Sequence, residues 1–172
     1  MHPGTRRLLI VRHAKAEPYA ATDRERRLTD RGRDDAAAAG RWLASRELRP
    51  GQALVSGAVR TVETWHAVAE AAAWHDLEPR FEDGLYAAGP DAVLDEIRLV
   101  PDEVSDLMVI GHNPTMATLA QLLDDGDGDP AVVDEMVLGF PTCALALFSV
   151  AGDWRSLDYA GARVEAYHVG RG

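Results

Sequence analysis

Apolar residues in this chain fall into short unbroken runs, separated by stretches in which they recur every three or four positions. Leu8 to Val11 is one such run, and a continuous apolar strand is the mark of burial on both faces. Gln52 to Ser56 ("QALVS"), Asp106 to His112 ("DLMVIGH") and Cys143 to Val150 ("CALALFSV") read as further strands, and "PRFE" as a shorter one. Ala162 to Val169 ("ARVEAYHV") alternates, which predicts an edge strand with a wetter face. Thr29 is placed to cap a helix, with Asp30 in its first turn and Ala36, Ala39, Gly40 and Leu43 on its inner stripe; "RPG" stops it. A second helix carries Val62, Trp65, His66, Ala69 and Ala73. A third runs from Pro90 to Val100 with Val93, Ile97 and Val100 inward. A fourth starts at Pro114 and continues through Met116, Leu119, Ala120 and Leu123. Alternating strands and helices predict a three-layer α/β/α sandwich, with a mostly parallel central sheet and an antiparallel edge strand. No repeat or linker divides the chain, so residues 1–172 are expected to form one domain.

Composition narrows the function classes. Hydrophobic residues make up 47% and charged residues 27%, the balance of a globular protein. A formal net charge of -10 argues against nucleic-acid binding through counterion release. It leaves room for an anionic substrate in a locally cationic cleft. One cysteine, Cys143, excludes an internal disulfide and suits a reducing compartment; it is expected in the core. The first apolar run is too short for a leader or a membrane span, so a cytoplasmic protein with no membrane association is expected. The polar stretch Glu17 to Leu28 reads as a long loop. "DDGDGDP", Asp124 to Pro130, begins like a calcium loop. Pro130 stands where that pattern needs glycine and Met136 where it needs glutamate, so a surface loop is expected. No metal or cofactor is expected.

Ligands of open α/β sheets sit beyond the carboxyl ends of the strands. Three predicted strands end in the same chemistry. The first delivers Arg12 and His13, the second leads through "SGAVRTVET" to Arg60, and the fourth ends in "VIGHNP" at His112. Guanidinium forks match the equatorial oxygens of a phosphoryl group and stay charged. A neutral imidazole can attack phosphorus in line and become phosphorylated, while a second can donate to an oxygen. Ser56 and Thr61 are read as caps of the following helix before any contact with phosphate. His66, His75 and His168 are assigned to helix, loop and edge strand, and His2 to a fraying terminus.

"RHAKAE", "SGAVRTVET" and "GHNP", in that order, resemble the histidine phosphatase superfamily, with its phosphoglycerate-mutase-like fold. "LTDRG", "FPTCAL" and the short length are similar to its SixA-type branch of phosphohistidine phosphatases. The resemblance implies that His13 is the phosphorylated nucleophile, that Arg12 and Arg60 bind phosphoryl oxygens and that His112 completes the pocket. Ala14 replaces the usual glycine after the nucleophile, and Gly57 replaces the usual proline after Ser56. The superfamily's mid-chain acid falls on Glu82 or Asp83, although the SixA type is thought to work without a strong one. Lys15 and Arg24, in the loop after the first strand, are read first as solvated charges and second as a rim where a phosphorylated protein would dock. The implied substrate is phosphohistidine on a protein partner, acted on by a monomer. A small phosphate ester, or a non-catalytic phosphate-binding module, is the alternative.

Overall fold

A computed structural model describes residues 5–172; His2 lies outside the described residues. Its sheet has six strands in the order β3-β2-β4-β1-β5-β6: β1 (Arg6–Arg12), β2 (Gln52–Ser56), β3 (Arg80–Glu82), β4 (Asp106–Gly111), β5 (Ala144–Val150) and β6 (Ala162–Val169). Pairings among β3, β2, β4 and β1 are parallel. β5 runs antiparallel to both β1 and the edge strand β6.

The unbroken apolar strands are explained by what covers them. Along β1, Leu8 and Ile10 face one core with Val109 and Phe148. Leu9 and Val11 face the other with Val55 and Ile110. The first core is closed by α3 (Pro90–Arg98), α4 (Thr115–Leu123) and α5 (Pro130–Leu138), and the second by α1 (Asp30–Ser45) and α2 (Val59–Ala71). Fully burying one such Leu or Ile contributes about 1.5–3 kcal/mol, so both layers hold the sheet. The chain therefore has the expected three-layer α/β/α architecture.

Local signals mostly hold. Thr29 caps α1, its hydroxyl accepting from Gly32 N at 2.9 Å. The inner stripes of α1 and α4 contain the expected residues. On α2 the buried stripe is Thr61, Thr64, Trp65, Val68 and Ala69, while His66 is exposed and Ala73 lies, exposed, beyond the helix end. The expected stripe was rotated because the polar threonines, not Val62, turn inward. α3 ends at Arg98 rather than Val100, and β4 ends at Gly111, which leaves His112 just beyond the ladder.

One helix carries no signal in the apolar spacing. In α5, only Met136 is fully buried and Leu138 is 87% exposed, so its apolar residues form no single stripe. The acidic segment before it is a surface loop in which Asp124 and Asp125 accept from the loop amides of Gly126 and Asp127. Among the described residues, no helix is long and apolar enough to cross a membrane, and no group of three or more His, Cys, Asp or Glu could hold a metal ion.

The neighbours β1 and β4 send their chains to opposite faces: β1 leads to α1 and β4 to α4. Such a point opens a crevice at the carboxyl edge of a parallel sheet. His13 and His112 stand on either side of it.

Candidate active site

The sheet register places the site. Arg12 pairs with Gly111, and His13 N donates to Gly111 O at 3.0 Å, so the ends of β1 and β4 are locked together. Cys143 N donates to His13 O at 3.0 Å. The His13 and His112 rings lie 5.3 Å apart between centroids, tilted by 56°. Arg60, in the first turn of α2, is 5% exposed and close enough to lower the pKa of both histidines.

Each imidazole has one nitrogen committed. His13 Nδ1 lies 2.7 Å from Ala14 O, an acceptor only, so Nδ1 carries the proton and Nε2 keeps its lone pair. His112 Nε2 lies 2.8 Å from Ser56 Oγ. Assigning the Ser56 hydroxyl as the donor there puts the proton of His112 on Nδ1. Burial pushes the pKa of His13 from 6.5 to about 3; His112, Arg60 and Arg12 push the same way, against the bond to Ala14 O. Burial, then Arg60, takes His112 to about 4. Both rings are neutral at neutral pH.

Four buried side-chain polar atoms of the described residues lack a hydrogen-bond partner. Three of them are Arg12 Nε, Arg60 Nε and His112 Nδ1. A buried donor left unpaired costs about 1–3 kcal/mol, and three in one place mark a site built for an acceptor. Three other nitrogens of the two arginines have protein partners. Arg12 Nη1 donates to Phe140 O at 3.1 Å, and Asn113 Nδ2 donates to the same oxygen at 2.8 Å. Phe140 lies just beyond α5, so the helix without a sequence signal positions Arg12. Arg60 donates from Nη1 to Asp23 O at 2.8 Å and from Nη2 to Asp23 Oδ2 at 3.1 Å. Thr64 Oγ1 accepts from Ala14 N at 3.0 Å and donates to Arg60 O at 2.6 Å, tying the two segments together.

A model of the histidine phosphatase superfamily (branch 1) matches residues 8–86. A relative from Haemophilus influenzae, described as a phosphohistidine phosphatase SixA homolog, is 31% identical over 147 residues, covering 70% of this chain and 89% of its own. The chain belongs to the histidine phosphatase superfamily. An uncharacterized protein of Mycobacterium tuberculosis is 37% identical over 163 residues, covering 94% of this chain and all of its own. The structure of a putative phosphohistidine phosphatase SixA from Nakamurella multipartitia superposes with a TM-score of 0.84 at 32% identity, covering 97% of both chains. The histidine phosphatase is thus of the SixA type, a hydrolase of phosphoryl compounds.

The other expected residues have partners of their own. The Glu82 carboxylate accepts from Arg80 Nε at 2.6 Å. Asp83 is paired with Arg24. That pair spans Gly57, where a Cβ would stand 2.2 Å from Asp83 Oδ1, so the glycine at the usual proline position leaves room for the clasp. Arg24 also lies over the Tyr86 ring, 5.4 Å from its centroid, at the mouth of the site. Lys15 is exposed, and its backbone is fixed by Thr29 N donating to Lys15 O at 2.9 Å.

The capping roles expected of Ser56 and Thr61 are corrected. Ser56 holds His112, and the Thr61 hydroxyl lies 2.6 Å from Ser56 O and 2.7 Å from Ala58 O, so neither side chain caps the helix amides. Three contributors were missed: Asp23, Tyr86 and Thr64. Thr64 follows Arg60 by one helical turn, a spacing that could have signalled it. Nothing in the spacing of Asp23 shows that its loop folds back over α2. Cys143 is buried, with its thiol raised to about 12 by burial, in line with a core residue.

Proposed function

We propose that this enzyme hydrolyses phosphohistidine through a phospho-His13 intermediate. The observation that carries the reading is the set of three unpaired buried nitrogens, Arg12 Nε, Arg60 Nε and His112 Nδ1, beside a nucleophile with its lone pair free on Nε2. A tetrahedral phosphoryl group offers three oxygens to those donors and its phosphorus to the nitrogen. His13 Nε2 attacks in line as the bond to the leaving group breaks. The leaving imidazole, protonated on its far nitrogen, takes the electron pair and departs neutral. Water then attacks the phosphorus of phospho-His13, releasing inorganic phosphate and the free ring. Arg12 and Arg60 supply the positive charge that stabilises the spreading negative charge, so the steps need no metal.

The P–N preference has its own support. An alkoxide leaves a phosphate ester only with a proton, and Glu82 and Asp83, the expected donors, are engaged by Arg80 and Arg24. An imidazole already protonated on its far nitrogen leaves neutral with no proton from the enzyme. The partner in this reading is a phosphohistidine-bearing protein that meets Arg24 and Lys15 at the rim, with the enzyme acting as a cytoplasmic monomer.

The test is to incubate the protein with a phosphohistidine peptide, quench, and search for acid-labile phosphate on His13. A His13→Ala variant that still hydrolyses the peptide would reject the mechanism. Equal efficiency on the peptide and on a simple alkyl phosphate would reject the substrate class. Vanadate should inhibit, and chelators should not.

A further inference from the structure

The loop between β1 and α1 brings a carboxylate to a place that substrate oxygens would be expected to fill. Both terminal nitrogens of Arg60 are taken by Asp23, through its carbonyl and through Oδ2. The Arg60 side chain is only 6% exposed, whereas that of Asp23 is 56% exposed. Asp23 therefore lies on the solvent side of the guanidinium and not behind it, where a supporting residue would stand. It sits on the short turn Asp23–Glu25, in a loop that α2 and Tyr86 hold down.

We infer that Asp23 is an internal competitor for the phosphoryl site, holding Arg60 when the site is empty and yielding it to dianionic phosphoryl groups in preference to monoanions. The inference deepens the proposed function and rests on it. The exchange leaves no buried charge stranded. Asp23 Oδ1 also accepts from Arg26 Nε at 2.9 Å, and Tyr86 OH donates to Oδ2 at 2.5 Å, so the carboxylate keeps two partners when Arg60 turns away. These bonds hold the Asp23 carboxyl at about 2, that of Tyr86 contributing most, so it is charged at any working pH. Arg60 Nε remains unpaired throughout, so an incoming phosphoryl group can make first contact before the terminal nitrogens are released.

Charge decides who wins. The carboxylate reaches Arg60 alone, with one negative charge. A phosphoryl dianion meets Arg12, Arg60 and His112 together. A carboxylate ligand or a phosphodiester brings a single charge and gains little over Asp23. The device thus selects phosphomonoesters and phosphoramidates by their second charge.

The experiment is calorimetric titration of the wild-type protein, Asp23→Asn and Asp23→Ala with inorganic phosphate, and with dimethyl phosphate as the monoanion. Asn keeps the size of the side chain and Ala removes it; thermal melting checks that both fold. If a competitor is removed, both variants should bind phosphate roughly three- to tenfold more tightly, and the preference over dimethyl phosphate should narrow. Weaker phosphate binding in the variants would make Asp23 a support for Arg60, and unchanged binding would make it a bystander; either overturns the inference. If the wild-type protein binds phosphate and forms phospho-His13 but neither variant tightens, only this inference fails. If the wild-type protein does neither, the proposed function fails with it.

Discussion

Acid should weaken this fold through its own active site. In the unfolded chain both histidines take up a proton as the pH drops below 6.5, whereas in the folded protein His13 resists to about 3 and His112 to about 4. Folded pKa values lie below unfolded ones, so the stability is fully present above 6.5 and is lost as the pH falls toward those values. At about pH 5 the unfolded state gains roughly 1.5 pKa units of protonation energy at each ring, about 2 kcal/mol per histidine. The two together approach about 4 kcal/mol, a large share of the ~5–15 kcal/mol that holds a typical domain. Urea unfolding of wild type, His13→Gln and His112→Gln at about pH 7.5 and about pH 5 measures this directly. Each variant should lose about 2 kcal/mol less than wild type between the two conditions. His168, also lowered by burial, is common to all three proteins and cancels in the comparison. If all three lose the same stability, the neutral, buried state of the rings is wrong, and the nucleophile argument fails with it.

Further outcomes follow from the same contacts. Arg60→Ala should lower kcat about 10²–10³-fold, the usual loss when a preorganised donor to developing charge is removed, and steady-state kinetics on a phosphohistidine peptide would check it. Ser56→Ala should leave His112 Nε2 buried without its partner, costing about 1–3 kcal/mol of stability in urea unfolding and reducing turnover as the ring loses its fixed tautomer. Two glycine variants should differ in thermal or urea unfolding. Gly32→Ala would put a Cβ 2.1 Å from Lys15 O, a backbone atom, and should cost about 1–3 kcal/mol. Gly57→Ala meets only the ends of Asp83 and Arg24, which can swing away, so stability should change by less than about 0.5 kcal/mol.

Residues whose positions follow from strand ends were legible in the chain. Arg12, His13 and His112 could be placed because a continuous apolar run fixes where a strand ends, and adjacent parallel strands end together. Arg60 could be placed because it sits in the first turn after such a strand. What escaped reading depends on contacts between segments far apart in sequence. Asp23 lies in a polar loop whose composition suits solvent, and only the folded chain reveals that it turns back onto Arg60. α5 hides for a different reason: its apolar residues are spread around the helix, so no stripe forms, although the carbonyl just beyond it anchors Arg12. Glu82 stands at a strand end, and its carboxylate is bonded to Arg80 on the same strand. A strand pattern tells where a side chain starts and not what it grasps.

The acceptor chosen for His13 Nδ1 is an uncharged peptide oxygen, that of the very next residue. A carboxylate in that position would make the ring more basic and strengthen its grip on phosphorus. A plain amide orients the ring while keeping it a ready departing group. In the proposed mechanism a covalent adduct on His13 would therefore be short-lived: phosphorus taken from one imidazole would pass to water with little difference in affinity between donor and acceptor, as suits a catalyst that discards phosphate instead of storing it.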